Sequence, residues 1–282
     1  MNTLLSHETL IRLSTFGTVF VVMACWELVA PCRQLSTSKA RRWFNNLAIV
    51  IINTLLLRLI FPGAGVGIAL LADERHWGLL NNYHLPTGGA LILAVVVLDL
   101  AIYLQHVMFH AVPALWQLHM VHHTDLDFDV TTGTRFHPVE ILLSMLIKFS
   151  VISVLGASAA AVLIFEVLLN ATAMFNHSNV TLPAGLDRLL RLVIVTPDMH
   201  RVHHSVIKDE TNSNFGFNLP WWDCLLGTYR PQPAEGQRAM TIGLRPFRDP
   251  AELTLPKMLL LPFTARAADY PLNRDGDPPQ QS

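Results

Sequence analysis

Four long apolar stretches limit what this chain can fold into: residues 10–30, 44–71, 88–112 and 139–173. A helix that spans a bilayer needs about 20 predominantly apolar residues. The first and third stretches fit one such helix each. The second is interrupted by Pro62 and several glycines. The fourth is long enough to cross and return, and Gly156, Ala157 and Ser158 at its middle suit a tight hairpin tip. Composition agrees, with 51% of the 282 residues hydrophobic and 15% charged. A soluble domain carries about 25% charged residues, so this chain cannot coat a soluble globule of its size, and it is too apolar for disorder. The expected fold is all-α: an integral membrane helical bundle of about five passages with a cytoplasmic histidine-rich cap.

Charges placed at intervals orient the bundle. Residues 31–42 contain Arg33, Lys39, Arg41 and Arg42, whereas residues 72–86 contain only Arg75 beside Asp73 and Glu74. The positive-inside rule puts the first loop in the cytoplasm and the second outside. The third helix then ends inside, the hairpin enters and leaves on that side, and everything after residue 176 is cytoplasmic. Five charges fall within the apolar runs: Glu27, Arg58, Asp99, Lys148 and Glu166. Each would cost about 2.5–3.5 kcal/mol near the bilayer centre, so each should snorkel or pair within the bundle.

The reading is of a single domain, 1–282. Helices one to three occupy 1–112, a first histidine-rich segment 113–138, the hairpin 139–175 and the cap 176–264. Residues 265–282 form a polar, proline-rich tail expected to be disordered. Residues 186–195 and 253–263 are amphipathic enough to lie on the bilayer surface. The N-terminal run lacks the basic start and small-residue cleavage site of a signal peptide, and reads as a retained membrane helix. A net charge of −1 gives nucleic acid no purchase. Cys25, Cys32 and Cys224 are too scattered for a disulfide framework or a thiolate zinc site.

Against this oily background stand 13 histidines. The positive-inside topology gathers ten of them on one face: His106, His110, His119, His122, His123, His137, His177, His200, His203 and His204. His7, His76 and His84 stand apart, the last two in the external loop. On a helix, residues three or four apart share a face. His106 and His110 therefore project together from the inner end of the third helix. Each HxxHH string, 119–123 and 200–204, aims two or three imidazoles at one spot. Eight clustered imidazoles exceed the needs of one ion and suit two metals with open positions. Without metal, they would leave many buried nitrogens unsatisfied. His137 precedes Pro138 at the hairpin entry, where it is either a ligand or a locally bonded entry residue. His177 emerges from the hairpin at the right depth for a ligand. Candidates to hold the far nitrogens of the rings are Asp99, Asp125, Asp127, Asp129, Glu140, Glu166, Asp198 and Asp223. The acidic run 125–129 reads by default as a solvated loop.

In their order along the chain these motifs carry a resemblance. HVMFH, HMVHH, RFHPVE, FNHSN, HRVHH and the downstream NSNFGFNLPWWDCLLGTY, from His106 to Tyr229, resemble the fatty acid hydroxylase/sterol desaturase superfamily of integral membrane oxygenases. WELVAPCRQLSTSKARRWFNN looks like the bacterial branch. HHTDLDFDVTTGTRFHPVE is closer to that branch and to alkylglycerol monooxygenase-like proteins than to plant or fungal sterol enzymes. The resemblance implies two metal ions, normally read as iron with zinc as a substitute in purified protein. It also implies molecular oxygen and a lipid substrate arriving from the bilayer. Ligand and catalytic roles carry over to His106, His110, His119, His122, His123, His177, His200, His203 and His204, with His137 as a further metal ligand. One departure matters: Thr181 stands where some fatty acid hydroxylases place a histidine four residues after His177. That argues against a fatty acid 2-hydroxylase and leaves His137 as the candidate replacement. The sequence contains no GxGxxG or CxxCH string, so electrons must come from a separate reductase, ferredoxin-like protein or pterin. The expected protein is a membrane di-iron oxygenase that hydroxylates or desaturates lipid, in a bacterial inner membrane. The alternative is a metal transporter or store using the same histidines.

Overall fold

The computed structural model describes residues 5–83, 85–265 and 270–272. His84 and most of the expected disordered tail lie outside them. Among the described residues the chain is helical, with no strands beyond two isolated bridges, Pro31 to Val180 and Ser205 to Ile242. Five apolar segments are long enough to cross a membrane, and the chain is an all-α membrane protein. We label the helices that position the site α1 (Glu8–Val29), α2 (Lys39–Ile60), α3 (Ala64–Glu74) and α4 (Thr87–Ala111). They are followed by α5 (Pro113–His123), α6 (Pro138–Leu155), α7 (Ala159–Asn176), α8 (Ala184–Leu190) and α9 (Pro197–His203). The last two are α10 (Trp221–Leu226) and α11 (Leu255–Thr264).

The second apolar stretch breaks between α2 and α3, where Pro62 lacks the N–H that would continue the helix. The expected hairpin is α6–α7. Gly156 ends α6 in the left-handed conformation at φ 70°, and the Ser158 hydroxyl accepts the Ala161 N–H to start α7. The tip is packed shut against the α3–α4 connection. A Cβ on Gly78 would lie 2.1 Å from the Gly156 nitrogen, so only glycine fits there. The tip thus shares an end with the α3–α4 loop, and the other ends of α4 and α7 carry the histidines.

Helix α7 is the hub, with 61% of its apolar stretch buried against 11% for α1. Its Val162, Leu163 and Phe165 form a core with Ala69 of α3, Leu98 of α4 and Ile152 of α6. The outer helices turn residues such as Leu55, Leu59 and Ile92 outward, as a lipid-facing surface requires. Four of the five intramembrane charges are bonded inside. Glu166 accepts from Lys148 at 2.6 Å and Arg12 at 2.7 Å, pinning α1 to the hairpin. Glu27 accepts the backbone N–H groups of Val130 and Asn179. Asp99 accepts from Asn218, Leu219 and Trp222. Arg58 is exposed.

Two local expectations change. The amphipathic run at 186–195 is helical only over Ala184–Leu190, then continues as turns. Residues 270–272, assigned to the tail, pack onto the histidine end. The Tyr270 ring stacks on Trp116 at 5.8 Å, and the Leu272 N–H donates to the His110 carbonyl at 3.0 Å. An aromatic with an apolar face and a bonded hydroxyl outweighs its polar surroundings.

Candidate metal centre

Four helices deliver their histidines from their C-terminal ends. His106 and His110 lie one turn apart at the end of α4, and His119, His122 and His123 fill the last turn of α5. His177 caps α7, and His200, His203 and His204 close α9. Helix C-termini carry partial negative charge, so four ends aimed at one place favour a cation. Proline opens both short helices, Pro113 in α5 and Pro197 in α9, which sets their start and the rotation of the histidines behind it.

The nitrogens fall into two groups, each within 4.8 Å of one another: His106, His110, His119, His123 and His203, then His122, His177, His200 and His204. All nine rings are buried. The sequence-derived pairs are split, since His122 and His123 of one string serve different groups. Adjacent residues on a helix point about 100° apart, so one HxxHH string reaches two centres.

Hydrogen bonding shows that the cluster fits metal. His106 Nδ1 donates to the Phe215 carbonyl at 2.7 Å, and His203 Nδ1 donates to the Ser213 carbonyl at 2.7 Å. Carbonyl oxygens only accept, so each Nδ1 holds the proton and each Nε2 is a bare lone pair. Those two Nε2 atoms face each other at 3.1 Å. In the second group, His177 Nδ1 donates to the Ala173 carbonyl at 2.7 Å, and its Nε2 lies 3.0 Å from His200 Nε2 and 3.2 Å from His122 Nε2. Neither nitrogen of His204 has a hydrogen-bond partner. Converging lone pairs repel one another, and a shared cation removes that repulsion. Burial also keeps the rings neutral, pushing His119 and His177 down to about 3. His122, His123, His200, His203 and His204 are lowered by burial and by neighbouring imidazoles.

Of the acidic candidates, Glu140 alone bonds a clustered ring, through His119 Nδ1 at 2.6 Å. Asp223 acts one step away. It accepts the Phe215 and Gly216 N–H groups at 2.8 and 2.9 Å, fixing the carbonyl that holds His106. Burial raises Asp223 to about 6. Sequence reasoning missed Asn212, whose side-chain oxygen lies 3.1 Å from His110 Nδ1. It also missed Gly133, where a Cβ would come 2.6 Å from the Ala173 carbonyl that holds His177. The NSNFG string, 212–216, held the signal for Asn212, Ser213 and Phe215.

The acidic run 125–129 is not a solvated loop. Asp125 and Asp129 are buried around Arg42 of α2, with contacts of 2.7 and 2.6 Å. Asp127 accepts the Ser36 and Thr37 N–H groups. Arg42 and its neighbours hold Asp125 well below the usual carboxylate range. This network fastens the loop behind α5 to the start of α2. Asp198 pairs with Arg201 at 2.6 Å.

His137 is brought into neither group. Its Nδ1 accepts the Val139 N–H at 3.2 Å, capping α6, and its Nε2 faces the Leu259 carbonyl of α11 at 3.2 Å. Pro138 starts the helix here, and Glu140, on the next positions of the turn, is what reaches the histidines.

Comparison with known proteins agrees with this geometry. The fatty acid hydroxylase family model matches residues 91–228. The ornithine lipid hydroxylase OlsE of Rhizobium tropici is 27% identical over 218 residues, covering 75% of this chain and 65% of that protein. The alkylglycerol monooxygenase of Xenopus tropicalis is 26% identical over 170 residues, covering 60% of this chain and 36% of that protein. The human alkylglycerol monooxygenase is 29% identical over 140 residues, covering 49% and 30%. The chain therefore spans less than two thirds of each of these relatives. No solved structure matches it significantly. The segment that matches the fatty acid hydroxylase family model, residues 91–228, holds all nine clustered histidines.

Proposed function

We propose that this protein is a membrane-bound lipid hydroxylase that inserts one atom of O2 into an unactivated C–H bond of a membrane lipid. The observation that carries the proposal is the convergence of nine buried, neutral imidazoles into groups of five and four. An imidazole set suits first-row divalent ions, and we read the pair as iron, with zinc as its substitute. His106, His110, His119, His123 and His203 would hold one ion; His122, His177, His200 and His204 would hold the other. Such a pair supplies oxygen activation and the oxidising power that C–H cleavage needs.

The chain's own contribution is placement and dryness. The carbonyls of Phe215, Ser213 and Ala173, the side-chain oxygen of Asn212 and the carboxylate of Glu140 hold five rings by their Nδ1 atoms. Phe136 stacks on His122 at 4.5 Å, and Phe217 lies 4.9 Å from His106. These rings present an apolar, water-poor wall to a hydrocarbon chain. Nearly neutral ligands spare the site the charge of a carboxylate cage beside the bilayer. Electrons come from a separate donor. The activities for which the relatives are named favour hydroxylation over desaturation, and a polar membrane lipid as the carrier of the chain. Arg33, Lys39, Arg41 and Arg42 support a cytoplasmic histidine end in a bacterial inner membrane.

Lipid mass spectrometry of cells with and without the gene, grown under labelled oxygen, tests this. A lipid that gains one labelled oxygen is expected, and His203→Ala should abolish it. Loss of two hydrogens without label would indicate a desaturase. Metal flux into sealed vesicles with unchanged lipids would replace the proposal with a transporter.

A further inference from the structure

Residues 214–230 leave the histidine cluster and return to it. Their two ends are stitched together: the Asn214 N–H donates to the Thr228 carbonyl at 2.9 Å, and the Arg230 N–H donates to the Asn214 side chain at 2.8 Å. Between these ends the chain runs down the side of α4. Thr228 meets Tyr103 at 2.8 Å, and the Trp222 indole N–H reaches Asp99 at 2.8 Å. Asp99 lies seven residues before His106 on the same helix, so it sits about 10 Å from the metal level towards the centre of α4. α4 is long and apolar enough to cross the membrane. The middle of the loop therefore lies within the depth of the bilayer.

Backbone outside a helix survives at that depth only if the protein satisfies it. Here it does. Asp223 accepts the Phe215 and Gly216 N–H groups, and Asp99 accepts that of Leu219. Asn176 donates to the Phe217 carbonyl at 2.9 Å, and the Val195 N–H donates to that of Asn218 at 2.9 Å. The outer side is apolar and uncovered. Trp221 is 42% exposed, Leu225 73% and Leu226 55%. Trp221 also bonds the Leu192 carbonyl at 2.6 Å, which joins the loop to the exposed Leu189 and Val193. Above this patch Arg191 donates to the Tyr229 hydroxyl at 3.1 Å, the arginine and tyrosine pairing typical of a membrane–water boundary.

We propose that residues 215–227 form a re-entrant loop in the same leaflet as the histidine end of α4, with Trp221, Leu225 and Leu226 in contact with lipid acyl chains. This revises the expectation that the whole chain after residue 176 is cytoplasmic. Phe217 lies on the inner side of the loop, 4.9 Å from the His106 ring and 5.9 Å from His200. The loop is thus the wall shared by the lipid phase and the histidine cluster. The inference rests on α4 crossing the membrane and not on the reaction catalysed. A protein partner at this depth would itself have to lie in the bilayer, which is why acyl chains are the occupant.

Cys224 is exposed on α10 and supplies the probe. In a Cys25→Ser, Cys32→Ser background it is labelled with a small fluorophore in phosphatidylcholine nanodiscs, where both faces are open to water. Ile92→Cys on α4 provides the lipid reference and Glu235→Cys the aqueous one, each with Cys224→Ser. Quenching by acyl-chain nitroxide lipids should match the Ile92 position, and iodide quenching should be several-fold below the Glu235 position. Leu225→Cys should repeat the result if labelling at Cys224 disturbs the fold. Iodide quenching at both loop positions equal to that at Glu235 would overturn the proposal and leave the patch as a water-facing surface for a protein partner.

Discussion

Replacing Glu140 should weaken one half of the metal centre and leave the other intact. Its carboxylate lies 2.6 Å from His119 Nδ1 and is buried. A hydrogen bond to a charged group contributes about 1.5–3 kcal/mol, against about 0.5–1.5 kcal/mol for a neutral one. Glu140→Gln keeps an acceptor of the same shape but removes the charge, a loss of about 1–2 kcal/mol. At 1.4 kcal/mol per decade that is roughly a 5- to 30-fold loss of metal affinity. The loss falls on the group of His106, His110, His119, His123 and His203, because His119 belongs to that group alone. Glu140→Ala, which leaves the nitrogen without a partner, should cost about 10–100-fold. The assay is metal retention per chain against graded chelator concentrations in detergent, with melting of the metal-free protein as the check on folding. Relative to the wild-type release profile, the variant should lose half its metal at lower chelator levels and keep the other half at the wild-type level. Equal weakening of both halves, or none, would refute the assignment of Glu140 as the residue that orients His119.

Three further outcomes follow from the same geometry. His137→Ala should leave metal content unchanged and cost only about 0.5–2 kcal/mol, the range for a lost helix cap; a halved metal content would make it a ligand after all. Asp125→Ala takes from the buried Arg42 its two-pronged partner and leaves Asp129 as its one remaining carboxylate; it should destabilise by up to about 3 kcal/mol, measured by thermal unfolding in detergent, and wild-type melting would remove the network from the account of the fold. Acid should destabilise the metal-free protein. His119 and His177 lie at about 3 in the fold against the ordinary 6.5, so between those values the unfolded chain binds more protons. Their stabilising contribution is whole above pH 6.5 and falls as pH drops towards 3; a melting temperature flat from pH 7.5 to 5 would contradict buried neutral rings.

Much of the fold was legible because a bilayer sets a length that sequence must meet. The apolar runs matched α1, α4 and the α6–α7 hairpin to within a few residues, and Gly156 with Ser158 marked the tip correctly. The spacing of HxxxH and HxxHH likewise identified eight histidines that the structure brings together, and the place of His177 at the hairpin exit identified the ninth. Adjacency to that pattern misled in one place. His137 looks like a ligand by position, but as the residue before Pro138 its ring turns back onto the Val139 N–H. The acidic run 125–129 misled in the other direction, since nothing nearby in sequence announces that Arg42, over 80 residues earlier, is its partner.

Periodicity and hydropathy are local, so the sequence by itself determined an all-helical membrane chain with imidazoles collected at one end. Which histidine joins which group depends on how four helix ends rotate against one another. Which groups hold the far nitrogens depends on chain segments about 100 residues away, as with His106 and the Phe215 carbonyl. Those pairings follow from close packing and from the need to satisfy every buried polar atom, and only the tertiary structure decides them.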